Sequence, residues 1–239
     1  MAIHHEKDFR WRGGEIARIE GLSDAVFAFA VTLLVVSLEV PKTFNDLMAV
    51  MRGFFAFAIC FMLLLQVWHE QYRFFRRYNL QDSTSTFLNC ILLFMVLFYV
   101  YPLKFLFTYL INGWMGFGTR VQLPNGAWEN MIELHQLPKL MAIFSGGFLA
   151  VACIFILLFC HALRQREALE LNALEVFATK VSIGAAVFNG FVALLSLMIA
   201  RFAPVQLSGL AGLIYPVLLG PGFTIYYMMM GRRKSRLVE

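Results

Sequence analysis

Apolar residues run through this chain in six long blocks, near residues 18–39, 47–69, 84–108, 139–163, 178–200 and 204–230, separated by short polar stretches. Each block reaches the roughly 20 residues a helix needs to cross about 30 Å of hydrocarbon. None alternates apolar and polar positions as an outer-membrane barrel strand does. Continuous apolarity of this length predicts helices, which satisfy every backbone polar group internally. The expected fold is an all-α membrane protein, a six-transmembrane-helix bundle forming one domain over residues 1–239. The longest weakly apolar stretch, about Thr108 to Pro138, is too short for a soluble domain. The first block is flanked by acids and is not followed by a small-residue cleavage site, so it reads as a retained span.

Composition supports the same class. Hydrophobic residues make up 60% of the 239 positions and charged residues 15%, with mean hydropathy +0.69, which excludes a domain that must keep a solvated surface. Basic residues gather at alternate ends of the blocks: Lys7, Arg10, Arg12, Arg18, then Arg73, Arg76, Arg77, then Arg164, Arg166, Lys180, then Arg232, Arg233, Lys234, Arg236. By the positive-inside rule that side is cytoplasmic, and an even number of spans puts both termini there. The net charge of +5 follows from this bias and from anionic headgroups, with no nucleic acid and no soluble partner implied. Cys60, Cys90, Cys153 and Cys160 all fall inside blocks and lack metal or disulfide spacing, so they read as packing residues. His4 and His5 read as part of a solvated tail.

The chemistry concentrates where Arg18, Ser23 and Asp24 open the first block. Ionisable groups at membrane depth persist only beside a partner or a watery path. Phe29, Thr32, Leu33 and Val36 follow at helical spacing and share one face. That face is either a packing stripe or a pore lining that gates by apolar constriction. Asp24 lies about 140° away around the helix and cannot line the same face. It is expected to find donors on neighbouring helices, and Arg18, Ser23, Asp24, His69 and Asn89 match in depth as a buried cluster tying the first three helices together. For His69 the other reading is an interfacial histidine beside Trp68.

These residues resemble a known signature. Arg18, then Leu22-Ser23-Asp24, then Ala25-Val-Phe-Ala, Thr32-Leu-Leu-Val and Val40-Pro41, is similar to the first helix of the transmembrane protein 175 family of potassium channels, in which phenylalanine precedes the Ser-Asp pair. His69, Leu88-Asn89 and Pro102 extend the resemblance over roughly the first 105 residues. The resemblance implies a bacterial inner-membrane homotetramer of six-span subunits in the lipid bilayer. It implies no cofactor beyond the permeant potassium ion. The pore is then lined by the first helix of each subunit, with Phe29, Leu33 and Val36 as the constriction and Thr32 as the hydroxyl that discriminates between cations. Relatives carry isoleucine or leucine where Phe29 stands. Four phenyl rings there would occlude the path, dewet it, or offer ring faces to a cation.

Competing signals are weaker. Gly116-Phe117-Gly118 looks like a carbonyl filter, but its approach is Trp114-Met115 with no threonine and no preceding pore helix, so a turn is expected. The latter half repeats no Ser-Asp signature, as a two-repeat transporter would. Neither His69 nor His161 has a serine, cysteine or acid partner legible at its depth, so no enzyme is expected. The remaining rivals are a non-conducting scaffold or regulator of a partner, and a channel with proton or non-selective cation preference.

Overall fold

The computed structural model describes residues 5–6, 9–36, 42–122 and 126–238. Helices α1 (Arg18–Val36), α2 (Phe44–Arg52), α3 (Phe54–Tyr78), α4 (Ser83–Trp114), α5 (Leu137–Arg164), α6 (Ala173–Phe202), α7 (Leu210–Ile214) and α8 (Gly220–Val238) follow in that order. Two short antiparallel hairpins accompany them, β1 (His5–Glu6) with β2 (Phe9–Arg10) and β3 (Arg120–Gln122) with β4 (Trp128–Asn130). Among the described residues five helical segments are long and apolar enough to cross a membrane: α3, α4, Leu134–Arg164, α6 and Val205–Gly231. The chain is therefore a multi-pass membrane protein. α1 packs against α3 and α4.

The second expected block, 47–69, is divided and shifted. Gly53 separates α2 from α3, and α3 continues to Tyr78. At 1.5 Å per residue its 25 residues span about 37 Å, more than the thickness of the hydrocarbon core. Asn79 ends α3 in the left-handed conformation, which asparagine tolerates, with its N–H on the Phe75 carbonyl at 2.8 Å. Asp82 starts α4 by accepting from the amides of Thr84 and Ser85 at 3.1 and 3.4 Å. Asn172 and Glu175 start α6 with a reciprocal capping box.

α5 and α6 pack along their lengths through small side chains such as Ala152, Ala186 and Gly190, with Ser145 and Ser196 hydroxyls 2.7 Å apart between them. Gly147 of α5 lies against the ring of Tyr99 on α4, where a Cβ would overlap the ring. The Tyr99 hydroxyl donates to the carbonyls of Ile143 and Phe144. Gly116 and Gly118 have φ of +72° and +86°, so this segment is a turn, and Phe117 lies 5.5 Å from the guanidinium of Arg52. That bond ties α2 to the turn after α4.

One end of the bundle is stapled by the N-terminal segment. Arg12 donates to Glu175 at 2.7 and 3.1 Å, and also to the carbonyls of Leu169 and Glu170 in the α5–α6 loop. Glu175 is 1% exposed and also accepts from the amide of Arg10. The amides of Arg12 and Gly13 bond the carbonyl of Arg76 at the end of α3, and Phe9 packs edge-on against Tyr78. Arg10 and Arg12 are thus brought beside Arg76 and Arg77 at one end of the bundle. His161, for which no acid was legible, bonds Asp82 at 2.9 Å across the α3–α4 and α5–α6 connections. Asp82 also accepts from the Ser85 hydroxyl at 2.7 Å. The serine bonds the acid and not the imidazole, so this is a helix cap and no activated nucleophile.

Two outcomes are expected. Arg12→Ala leaves a buried carboxylate without its guanidinium, which should cost about 3–5 kcal/mol and lower the melting temperature in detergent, with partial recovery in the double variant Arg12→Ala, Glu175→Ala. Burial raises the Asp82 carboxyl, but the Ser85 hydroxyl, His161 and the Ser85 amide outweigh it and hold Asp82 below the usual carboxylate range. Its contribution is complete above the unfolded Asp value of about 3.9 and disappears as pH falls through the depressed folded value. Melting followed from about pH 5 to about pH 2 should show this loss, and Asp82→Asn should flatten it.

Candidate functional site

α1 is two-sided. Ser23, Phe27, Ala30 and Leu34 recur at helical spacing and form its buried face. Gly21, Leu22, Ala25, Ala28, Phe29, Thr32 and Val35 are exposed on the other. Phe29 has 55% of its surface open, a large apolar group with no cover from its own chain. Leu33 lies at the edge of this face and is half-buried against the core. Val36 ends α1, and its side chain is outside the described ones, as are Glu39, Val40 and Pro41. The Thr32 hydroxyl donates to the carbonyl of Ala28 at 2.9 Å, which leaves its oxygen lone pairs facing outward.

The buried face carries a short polar chain. The Ser23 hydroxyl donates to the carbonyl of Ile19 at 2.7 Å and accepts from the Asn89 amide at 2.9 Å. Asn89 in turn accepts from the Gln71 amide at 3.2 Å. Ser23, Gln71 and Asn89 are all almost fully buried and come from α1, α3 and α4. In a water-poor interior such groups must satisfy each other, so this chain fixes both the depth and the rotation of α1.

The other residues expected in this cluster lie elsewhere. Asp24 is exposed at its rim and accepts from the Trp68 indole N–H at 2.8 Å. His69 is exposed and its ring stacks on Tyr72 at 6.5 Å, while Trp68 stacks on the same ring at 5.6 Å. Arg18 is exposed and makes no hydrogen bond or ion pair among the described residues. The inward charge is instead Glu20, 6% exposed, 3.7 Å from Nε of Arg76. Gln71 and His69 are two positions apart, about 200° around α3, so only one of them can face α4. The signal for Gln71 was its spacing from Cys60, Leu64, Phe74, Phe75 and Tyr78, which form the buried face of α3.

The far end of α1 is held as well. Lys104 of α4 donates from Nζ to the carbonyl of Leu34 at 2.6 Å. No group of three or more His, Cys, Asp or Glu side chains converges among the described residues.

Comparison with known proteins covers this whole arrangement. The chain is 38% identical over 97% of its length to a potassium channel of Marivirga tractuosa, spanning 94% of that protein. The chain belongs to the TMEM175 family. The family described as endosomal/lysosomal potassium channel TMEM175 matches residues 18–99, the segment that carries Ser23, Gln71 and Asn89. A crystal structure of a variant of the potassium channel MtTMEM175, in complex with a Nanobody-MBP fusion protein, superposes with a TM-score of 0.80 at 37% identity, covering 97% of this chain and 99% of that one. The TMEM175 homologue of Chamaesiphon minutus, described as a lysosomal potassium-selective channel, shares the fold at 24% identity, with a TM-score of 0.55 over 89% of this chain and 96% of its own. TMEM175 is a family of ion channels and not of enzymes.

The polar chain and the rim contact are separable. Asn89→Ala strands the buried Gln71 amide and removes the donor to the Ser23 oxygen, and should cost about 1–3 kcal/mol, seen as a lower melting temperature in detergent. Asp24→Ala removes one exposed hydrogen bond and should cost about 1 kcal/mol or less, with a shift in tryptophan fluorescence from Trp68.

Proposed function

We propose that this chain is a potassium-permeable cation channel whose pore is lined by α1 of each subunit in a homotetramer. The supporting observation is the face of α1 that its own subunit leaves uncovered: Phe29, Thr32 and Val35 are open, while the opposite stripe is sealed by Ser23, Phe27, Ala30 and Leu34. α1 then serves as the first of six spans, joined by α3, α4, α5, α6 and Val205–Gly231. Both termini lie on the cytoplasmic side of a bacterial inner membrane, the side where Arg12, Arg76 and Arg77 gather.

Copies of α1 meeting at a shared axis bring Phe29 rings together as the narrowest layer. The rings exclude water from the path and present their faces to a dehydrating cation. One turn on, Thr32 offers hydroxyl oxygens whose protons are already committed to the Ala28 carbonyl, so each acts as an acceptor toward a cation. Leu33 and Val36 continue the constriction beyond it. Asp24, engaged with Trp68, and the Ser23–Asn89–Gln71 chain hold the helix from behind. No carbonyl filter takes part, because Gly116-Phe117-Gly118 is a turn.

The test is flux of potassium against sodium from proteoliposomes holding the native chain or Phe29→Ala, with the mass of the detergent-solubilised protein measured alongside. The expected result is a mass of four chains, potassium flux from the native protein, and greater leak with weaker discrimination from the variant. If neither form conducts above empty liposomes, the chain is a scaffold and the channel reading is wrong.

A further inference from the structure

A cavity of about 700 Å³ lies between α3, α4, α5, α6 and the last membrane-crossing segment. Protein interiors are close-packed, with few voids larger than a water molecule, and a space of this size falls in the range of small-molecule sites. Its wall is mostly hydrocarbon and rich in flat rings, among them Phe148, Phe155, Phe177 and Phe223. Part of the wall comes from Tyr215–Leu219, a π-helical turn ahead of α8, and such turns are frequent at functional sites.

Two polar side chains interrupt this wall away from its charged end, Gln66 of α3 and Asn189 of α6. Gln66 is twelve residues from either end of α3, and Asn189 is sixteen residues from the start of α6 and thirteen from its end, so both stand well inside membrane-crossing segments. Tyr78 and Thr179, whose hydroxyls are 2.7 Å apart, set the level of the two helices against each other. From that contact Gln66 is twelve residues along α3 and Asn189 ten along α6, about 18 Å and about 15 Å at the helical rise. The two carboxamides therefore meet the cavity at nearly the same height. Neither makes a hydrogen bond or ion pair among the described residues.

Hydrocarbon offers a carboxamide no partner, and leaving one unpaired in it is costly. The mostly apolar wall disfavours filling by water. A ligand meets both conditions when its apolar body lies among the rings and its oxygens accept from the two amides, each of which presents N–H donors. Aromatic walls favour another ring, packed offset or edge-on. A charged group at this depth is expensive, which selects a neutral molecule. We infer that this cavity binds a neutral, bilayer-soluble molecule with a flat ring system and carbonyl oxygens, the chemical class of the quinones. Bound there it bridges α3 and α6 through Gln66 and Asn189. Its described walls include no residue of α1, so the occupant stands apart from the ion path proposed above.

The test is binding of anthraquinone and of anthracene, the same fused-ring frame without oxygens, to the full chain in detergent, read as a concentration-dependent rise in melting temperature. The native chain should bind anthraquinone about fivefold or more over anthracene, the worth of one ordinary net hydrogen bond. Gln66→Leu and Asn189→Leu place hydrocarbon in membrane-crossing helices and should leave folding intact. Each should weaken anthraquinone about fivefold while anthracene binding holds. Equal binding of the two compounds by the native chain, or binding of neither, would overturn the assignment. So would an anthraquinone preference that both variants keep, which would put the ligand elsewhere. Equal loss of both compounds in the variants would make the amides part of the fold and overturn it as well. Melting is read without an ion gradient, so a chain that fails to conduct leaves this result standing.

Discussion

Three buried polar side chains determine which way α1 faces. Ser23, Asn89 and Gln71 satisfy one another across three helices, and a bilayer interior supplies no water to replace any of them. Turning α1 by one residue, about 100°, would carry Ser23 out of reach of Asn89 and leave the buried Asn89 amide without its acceptor. The helix is therefore locked in rotation. Phe29 and Thr32 face outward because Ser23 faces inward, and the use of the open face depends on that lock. Lys104 on the Leu34 carbonyl fixes the other end of the same helix.

A second constraint acts at the basic end of the bundle. Arg12 joins the N-terminal segment to the start of α6 and to the α5–α6 loop, and its neighbours bond the end of α3. Glu175 is both half of the α6 capping box and the acceptor for this guanidinium, so one carboxylate starts a helix and docks a terminus. A charge pair this deep is kept by its full set of hydrogen bonds rather than by Coulomb attraction alone. It also holds Arg12 beside Arg77, 65 residues away in the chain.

Where pattern predicted wrongly, the causes are local. The block expected at 47–69 followed hydropathy, which cannot see that Gly53 breaks the run or that the helix continues through Arg73, Arg76 and Arg77 to Tyr78. For His69 depth allowed both a place in the buried cluster and an exposed one beside Trp68, because depth says nothing of azimuth; Gln71 holds the inward position and His69 is exposed. The spacing of Cys60, Leu64, Phe74 and Tyr78 contained that information. His161 and Asp82 are 79 residues apart in the chain, so their contact had no local signal.

Length and apolarity alone determined that this chain lives in a membrane as helices, because only a helix or a closed barrel satisfies its backbone there. The order of Arg18, Ser23, Asp24, Phe29 and Thr32 was enough to single out α1, since polar groups at an apolar helix mouth need a reason to be present. Which of those groups turns inward was a tertiary decision. It depended on the pairing of Ser23 with Asn89 and Gln71, of Arg12 with Glu175 and of Asp82 with His161, contacts between residues that only the packed bundle brings within hydrogen-bond distance.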